Sequence, residues 1–176
     1  DALPAPEEEP IAHNSMRDNL YSTKVTLGGD RLRKYFPDTT MTPAAIVNAA
    51  KNAGLELIAI TDHNSARNCP AVAAEAEKAG IGFIPGIEVT TSEEIHCVCL
   101  LPDLGKAAAF SRWLDTLRPG IANRPSVFGR QTVVGSRGSR TEERELLFMA
   151  RRISVNELSR AVRQYSGLIW PAHVDK

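Results

Sequence analysis

The chain has no surplus of charge of either sign: Lys and Arg number 21, Asp and Glu also 21. The molecule as a whole therefore exerts no strong pull on polyanions, and any such pull has to be local. No apolar run approaches the length of a membrane span, so no membrane partner is expected. No stretch has the basic start and apolar centre of a signal peptide. Cysteine is scarce, at Cys69, Cys97 and Cys99. Three thiols suit a reducing compartment, and a cytoplasmic location is expected. No CxxC pair is present to build a thiolate zinc site, which leaves Cys97 and Cys99 as small core residues on one face of a strand. There is no initiator Met, and Lys176 follows closely on a motif. A fragment or a processed chain is expected.

What is present describes a globular chain. Its 176 residues are 43% hydrophobic and 24% charged, enough for one domain with a real core. Residues 1–17 hold Pro4, Pro6 and Glu7-Glu8-Glu9-Pro10 and read as a flexible acidic leader. Residues 18–176 form the domain. Val25 to Leu27 reads as a short strand turning at Gly28-Gly29. Thr42-Pro43 opens a helix that stops at Gly54, because Thr caps and Pro fits the first turn. A strand follows over 55–60, a helix over 70–80 ended by Gly80, and strands over 81–86 and 95–101. Helix is predicted over 106–117. Ser154-Val155-Asn156-Glu157 is a capping box that opens a helix to about Tyr165. The last strand is 167–173. This alternation predicts a mostly parallel sheet covered by helices.

Polar clusters stand where the apolar strands end. "IAITDHNS" runs from a core strand into Asp62 and His63, Glu88 follows "FIPGI", His96 lies eight residues on, and His173 ends "IWPAH". Ligands of α/β sheets and barrels bind beyond the carboxyl ends of strands. A lone His on a strand is more often a core or surface residue, but four such residues at successive strand ends form a plausible set for zinc, manganese or iron.

"MTPAAIVNAAKNAGLELIAITDHNS", "GIGFIPGIEVTTSEEIHCVCLLPD" and "WPAHVD" resemble the PHP family of polymerase and histidinol phosphatase domains. The resemblance is strong over 41–105 and moderate over 141–176. It implies a distorted (β/α)7 TIM-like barrel, here incomplete at its C-terminal end, that uses divalent metal ions to hydrolyse phosphoesters. It also implies roles. Glu88 would be a bridging carboxylate, His96 and His173 would bind one metal, and His63 another. Asp62 would orient or assist, in a catalytic group with His63 and Glu88. The family opens with His-x-His, where Leu20 and Ser22 stand here, and its late Asp-x-His motif does not appear. Neither Leu nor Ser replaces the ligand, so one or two ions are expected and not three.

The stretch 118–140 carries Arg118, Arg124, Arg130, Arg137 and Arg140 and no acidic residue. Its alternatives are a basic lid over a phosphate-bearing substrate, a mobile loop, or a hairpin around "RQTVVGS". Arg118, Arg124 and Arg130 are the candidate phosphate contacts. Two functions follow: a phosphoesterase acting on a phosphorylated small molecule, a nucleotide or nucleic acid, or a degenerate PHP-like module that serves a larger complex.

Overall fold

Thr42 and Pro43 start the first helix as their chemistry dictates. The computed structural model describes residues 41–173, where α1 spans Pro43–Asn52. The Thr42 hydroxyl accepts from the Ala45 N–H at 3.2 Å, and proline lacks the N–H that a first turn would leave unpaired. The elements that follow are β1 Leu57–His63, α2 Cys69–Ala79, β2 Gly82–Thr90, β3 His96–Leu100 and α3 Leu104–Asp115. Then come α4 Pro125–Phe128, β4 Thr132–Val134, β5 Arg140–Glu142, α5 Val155–Gln164 and β6 Leu168–Pro171. Gly80 ends α2 at φ 71°, the left-handed conformation that glycine adopts freely. The capping box forms in full: the Ser154 hydroxyl takes the Glu157 N–H while Glu157 takes the Ser154 N–H. The leader 1–17, the strand expected at 25–27, and Leu20 and Ser22 lie outside the described residues.

The four longer-range strands pair in the order β1-β2-β3-β6. Only β1 and β2 run parallel; β2–β3 and β3–β6 are antiparallel. The expected mostly parallel sheet is thus corrected to a mixed one. The reason is length. Residues 91–95 join β2 to β3, too few for the crossover that a parallel neighbour requires. The fold is mixed α/β, and no closed barrel forms among the described residues. No described helix is long and apolar enough to cross a membrane.

Alternation along the strands divides the sheet into two faces. Ile58, Ile60, Ile87, Val89, Cys97 and Cys99 point to the helices, where Ile46, Val47, Val72, Phe110, Leu114, Leu158 and Val162 join them in one buried cluster. Each such side chain contributes about 1.5–3 kcal/mol by leaving water. The opposite face holds a smaller cluster of Ala59, Val98 and Leu100 with Ile84 and Ala172 beside it. Gly86 lies on that face, and a Cβ there would meet Leu100 Cδ2 at 2.8 Å and the Ile60 carbonyl at 2.9 Å. Leu168 and Trp170 continue the face at β6 and stay 68% and 38% exposed.

Candidate metal centre

Register brings three ligand candidates to the same face. His63, the last residue of β1, pairs with Glu88 in β2, and Thr90 pairs with His96 in β3. Residues 88 and 90 share a side of β2, so His96 stands diagonally across from Glu88. Glu88 is fully buried. Its Oε1 lies 3.1 Å from His96 Nδ1 and 3.2 Å from His173 Nε2. The His96 ring meets that of His63 edge-on at 5.3 Å and that of His173 at 5.7 Å. One ligand atom each from His63, Glu88 and His96 falls within a 4.8 Å span. His173 follows β6 with φ 57°, uncommon for a residue other than glycine, and the adjoining Ala172 N–H holds the His96 carbonyl at 2.8 Å.

These residues fit a divalent metal. Donors about 2.1 Å from a tetrahedral ion sit about 3.4 Å from one another, near the two observed nitrogen–oxygen separations. A buried carboxylate needs positive charge nearby, and imidazole with carboxylate suits zinc, manganese and iron.

Asp62 differs from its neighbour. Alternation turns it to the helix side, where its Oδ2 accepts from Asn68 Nδ2 at 2.7 Å. Burial, then the Asp62 charge, pushes the Cys69 thiol up to about 12. The thiol donates to the Gly86 carbonyl inside the core.

The turn after His63 carries residues that sequence reasoning missed. Asn64 is fully buried at φ 51°. Its N–H donates to the Glu88 carbonyl, its Oδ1 accepts from the Thr90 N–H, and its Nδ2 donates to the carbonyls of Leu147 and Met149. Thus Asn64 brackets Glu88 on β2 and ties both strands to the stretch that follows the arginine-rich segment. Asn68 ties down the segment itself, accepting from the N–H of Val134, the last residue of β4, at 2.8 Å while it donates to Asp62. Arg67 pairs with Glu143 and, at 2.7 Å, with Asp115. The only advance signal was the density of amide and charged residues in "HNSARN".

The segment itself is folded. β4 and β5 form a hairpin, and Gln131 is buried between the carbonyls of Glu143 and Glu145 and the Leu147 N–H. Arg118 sits among Asp115, Glu143 and Glu145, closest to Asp115 Oδ1 at 2.5 Å. Arg124 lies over the Phe128 ring at 5.5 Å, and Arg130, well exposed, is 3.7 Å from Glu142. Arg151 is buried, and its pKa is pushed down to about 10 by burial and then by Arg118.

A model of the PHP domain matches residues 33–164, three quarters of the sequence. The chain belongs to the PHP domain family. This PHP domain is 31% identical over 93 residues to an uncharacterised protein of Methanocaldococcus jannaschii, covering 51% of this chain and 54% of that protein. It is 34% identical over 76 residues to the 5'-3' exoribonuclease Rnm of Salmonella typhimurium, covering 40% of this chain and 26% of the enzyme. The matched part is therefore about half of the first relative and about a quarter of the second. The crystal structure of a putative metal-dependent phosphoesterase from Bifidobacterium adolescentis resembles it with a TM-score of 0.52 at 17% identity, over 76% of this chain and 62% of that one. At that identity the likeness speaks for the fold.

Proposed function

We propose that this PHP domain is a metal-dependent phosphoesterase that cuts a phosphomonoester, nucleotide or oligonucleotide, and that its described sheet is part of a distorted seven-stranded barrel. The observation that carries the reading is Glu88, fully buried and shared by His96 and His173 on one oxygen with His63 beside it. Glu88, His96 and His173 would hold one ion, and His63 with Glu88 a second. A bound ion supplies a water acidic enough to ionise near neutral pH and neutralises phosphate charge. Glu88 holds the imidazole nitrogens in place through Oε1. Asp62 acts at a distance, by fixing Asn68 and so the turn that carries His63. Arg124 and Arg130, both exposed, would supply phosphate contacts, with Arg118, held among Asp115, Glu143 and Glu145, as a third candidate. The relative described as an exoribonuclease adds weight to a nucleotide or oligonucleotide substrate. Buried free thiols suit work in the cytoplasm.

The test is elemental analysis of the dialysed protein, with hydrolysis of an aryl phosphate by the parent and by Glu88→Gln. One or two ions per chain and a rate abolished in the variant are expected. A second reading, a PHP module that serves a larger complex without catalysis, is favoured by Leu20 and Ser22 at the family's opening histidines and by a family match that begins only at residue 33. A parent that binds no metal and hydrolyses nothing would establish that reading instead.

A further inference from the structure

Thr90 closes β2 opposite His96, the first residue of β3. Its N–H donates to Asn64 Oδ1 at 3.1 Å, and its carbonyl accepts from the Arg151 N–H at 2.8 Å. The His96 carbonyl in turn accepts from the Ala172 N–H, and the next residue, Thr91, donates to the Ile95 carbonyl. The backbone groups of Thr90 therefore point away from β3, and Thr90 with His96 is a pair of the kind that exchanges no backbone hydrogen bond. Such pairs hold their Cα atoms about 4.5 Å apart, and their side chains lie closer than at the alternate register positions.

The face that Thr90 shares with His96 also carries Glu88, two residues earlier on β2. Thr90 is 5% exposed, and its Oγ1 is buried with no hydrogen-bond partner. A hydroxyl out of water and unbonded is unfavourable, and valine has the same shape without that cost. Packing alone therefore does not call for threonine here. The backbone does not need the hydroxyl either, since Asn64 and Arg151 already hold it. What the hydroxyl adjoins is an imidazole whose Nδ1 lies 3.1 Å from Glu88 Oε1, an oxygen that His173 Nε2 also reaches at 3.2 Å.

We propose that Thr90 is a positioning residue for His96: its hydroxyl accepts the N–H that His96 keeps when the ring binds a cation. The inference rests on the metal-centre part of the reading above. An imidazole that binds a cation through one nitrogen carries its proton on the other, and the acceptor for that proton fixes the ring. Glu88 Oε1 serves two rings at once. A cation on that oxygen competes with both of them, and each ring then needs another acceptor. For His96 the hydroxyl across the strand pair is at hand, and a change of Thr90 rotamer brings it round without moving the backbone. The proton count stays the same, because the N–H exchanges one oxygen for another. A neutral hydroxyl also orients the ring without adding negative charge to a centre that takes an anion.

The experiment titrates metal-free parent, Thr90→Val and Thr90→Ser with cobalt(II), following heat and the visible spectrum. Urea denaturation of each metal-free protein and aryl phosphate hydrolysis by the parent are measured beside it. Thr90→Val keeps the shape and removes the hydroxyl. Its cobalt affinity should fall about 10–100-fold, as when an outer partner of a metal ligand is lost, and its cobalt spectrum should change. Its metal-free stability should match or exceed that of the parent, because an unbonded buried hydroxyl has gone. Thr90→Ser keeps the acceptor and should bind cobalt with the affinity and spectrum of the parent. A merely structural role gives the opposite pattern, lower metal-free stability with an unchanged spectrum. Parent-like cobalt binding by Thr90→Val, or a Thr90→Ser as weak as Thr90→Val, overturns the proposal. A parent that takes up no cobalt overturns the proposal and the phosphoesterase reading together. A parent that binds cobalt with the help of Thr90 but hydrolyses no phosphoester upholds the positioning role and refutes the phosphoesterase reading.

Discussion

The two faces of β1, β2 and β3 are made from alternate residues of the same strands, yet they serve different ends. On the helix side Ile58, Ile60, Ile87, Val89, Cys97 and Cys99 pack into the main core. On the other side a short apolar floor of Ala59, Val98 and Leu100 gives way to Thr61, His63, Glu88, Thr90 and His96. The first face holds the sheet together and the second places polar groups against it. Neighbours one residue apart can therefore have opposite duties, because one step along a strand changes sides.

Ile87 and Glu88 test that division most directly. Ile87→Ala should destabilise the protein by about 2–5 kcal/mol in urea denaturation, with metal content per folded chain unchanged. Glu88→Gln should keep the stability of the metal-free protein within about 1 kcal/mol, since an amide oxygen still accepts from both imidazoles. Its metal affinity should fall by more than about 100-fold in titration calorimetry, because loss of a supporting partner alone costs 10–100-fold. If Ile87→Ala lost metal while folded, or Glu88→Gln unfolded, the faces would not be separable.

Asn64 joins the two duties and should show both. Asn64→Ala leaves buried backbone groups of Thr90, Leu147 and Met149 without their partner, at about 1–3 kcal/mol of stability. Metal affinity should fall with it. Asn64→Gly, which relieves the left-handed backbone, should be no better if the side-chain bonds decide the outcome. Unaltered metal affinity in both variants would show that the bracket around Glu88 does not matter to the site.

At neutral pH the smallest effect, in fact none, comes from Cys69 on the helix side, which matters only in alkali. Its folded pKa is raised to about 12 from an ordinary 9.0, so the unfolded chain releases the proton first. The thiol's contribution is intact below pH 9 and declines as pH rises from 9 towards 12, by about 1.4 kcal/mol per unit at most. Cys69→Ala should show a shallower alkaline decline in thermal midpoint than the parent. An identical decline would assign the alkaline sensitivity to other groups.

Much of the scaffold was legible, and for local reasons. Thr42-Pro43, Gly80 and Ser154 with Glu157 mark helix ends through contacts within a few residues. Apolar runs marked β1, β2 and β3, although β2 extends to Thr90 and so carries Glu88 inside the strand rather than beyond it. The direction of β3 was misread because alternating helix and strand suggested crossovers, while the link between β2 and β3 is too short for one. Placement of Glu88 near His96 and His173 could be anticipated from strand ends. The Asn64 and Asn68 anchors could not, because their partners lie 66 to 85 residues away along the chain. An asparagine in a turn looks the same whether it serves the turn or a distant backbone.

The way the segment 118–150 is fastened has a kinetic consequence. Only Gln131 and Leu146 are buried along it, so amide side chains and the ion pairs Arg67–Glu143 and Arg118–Asp115, rather than an apolar core, keep it in place. Such a unit can detach by breaking a handful of hydrogen bonds while β1, β2 and β3 stay folded. Backbone amides of β4 and β5 should then exchange with deuterium through a partial opening, well before those of the main sheet. Opening of this unit would leave the sheet that carries His63 and Glu88 folded, on the timescale of loop motion rather than of unfolding.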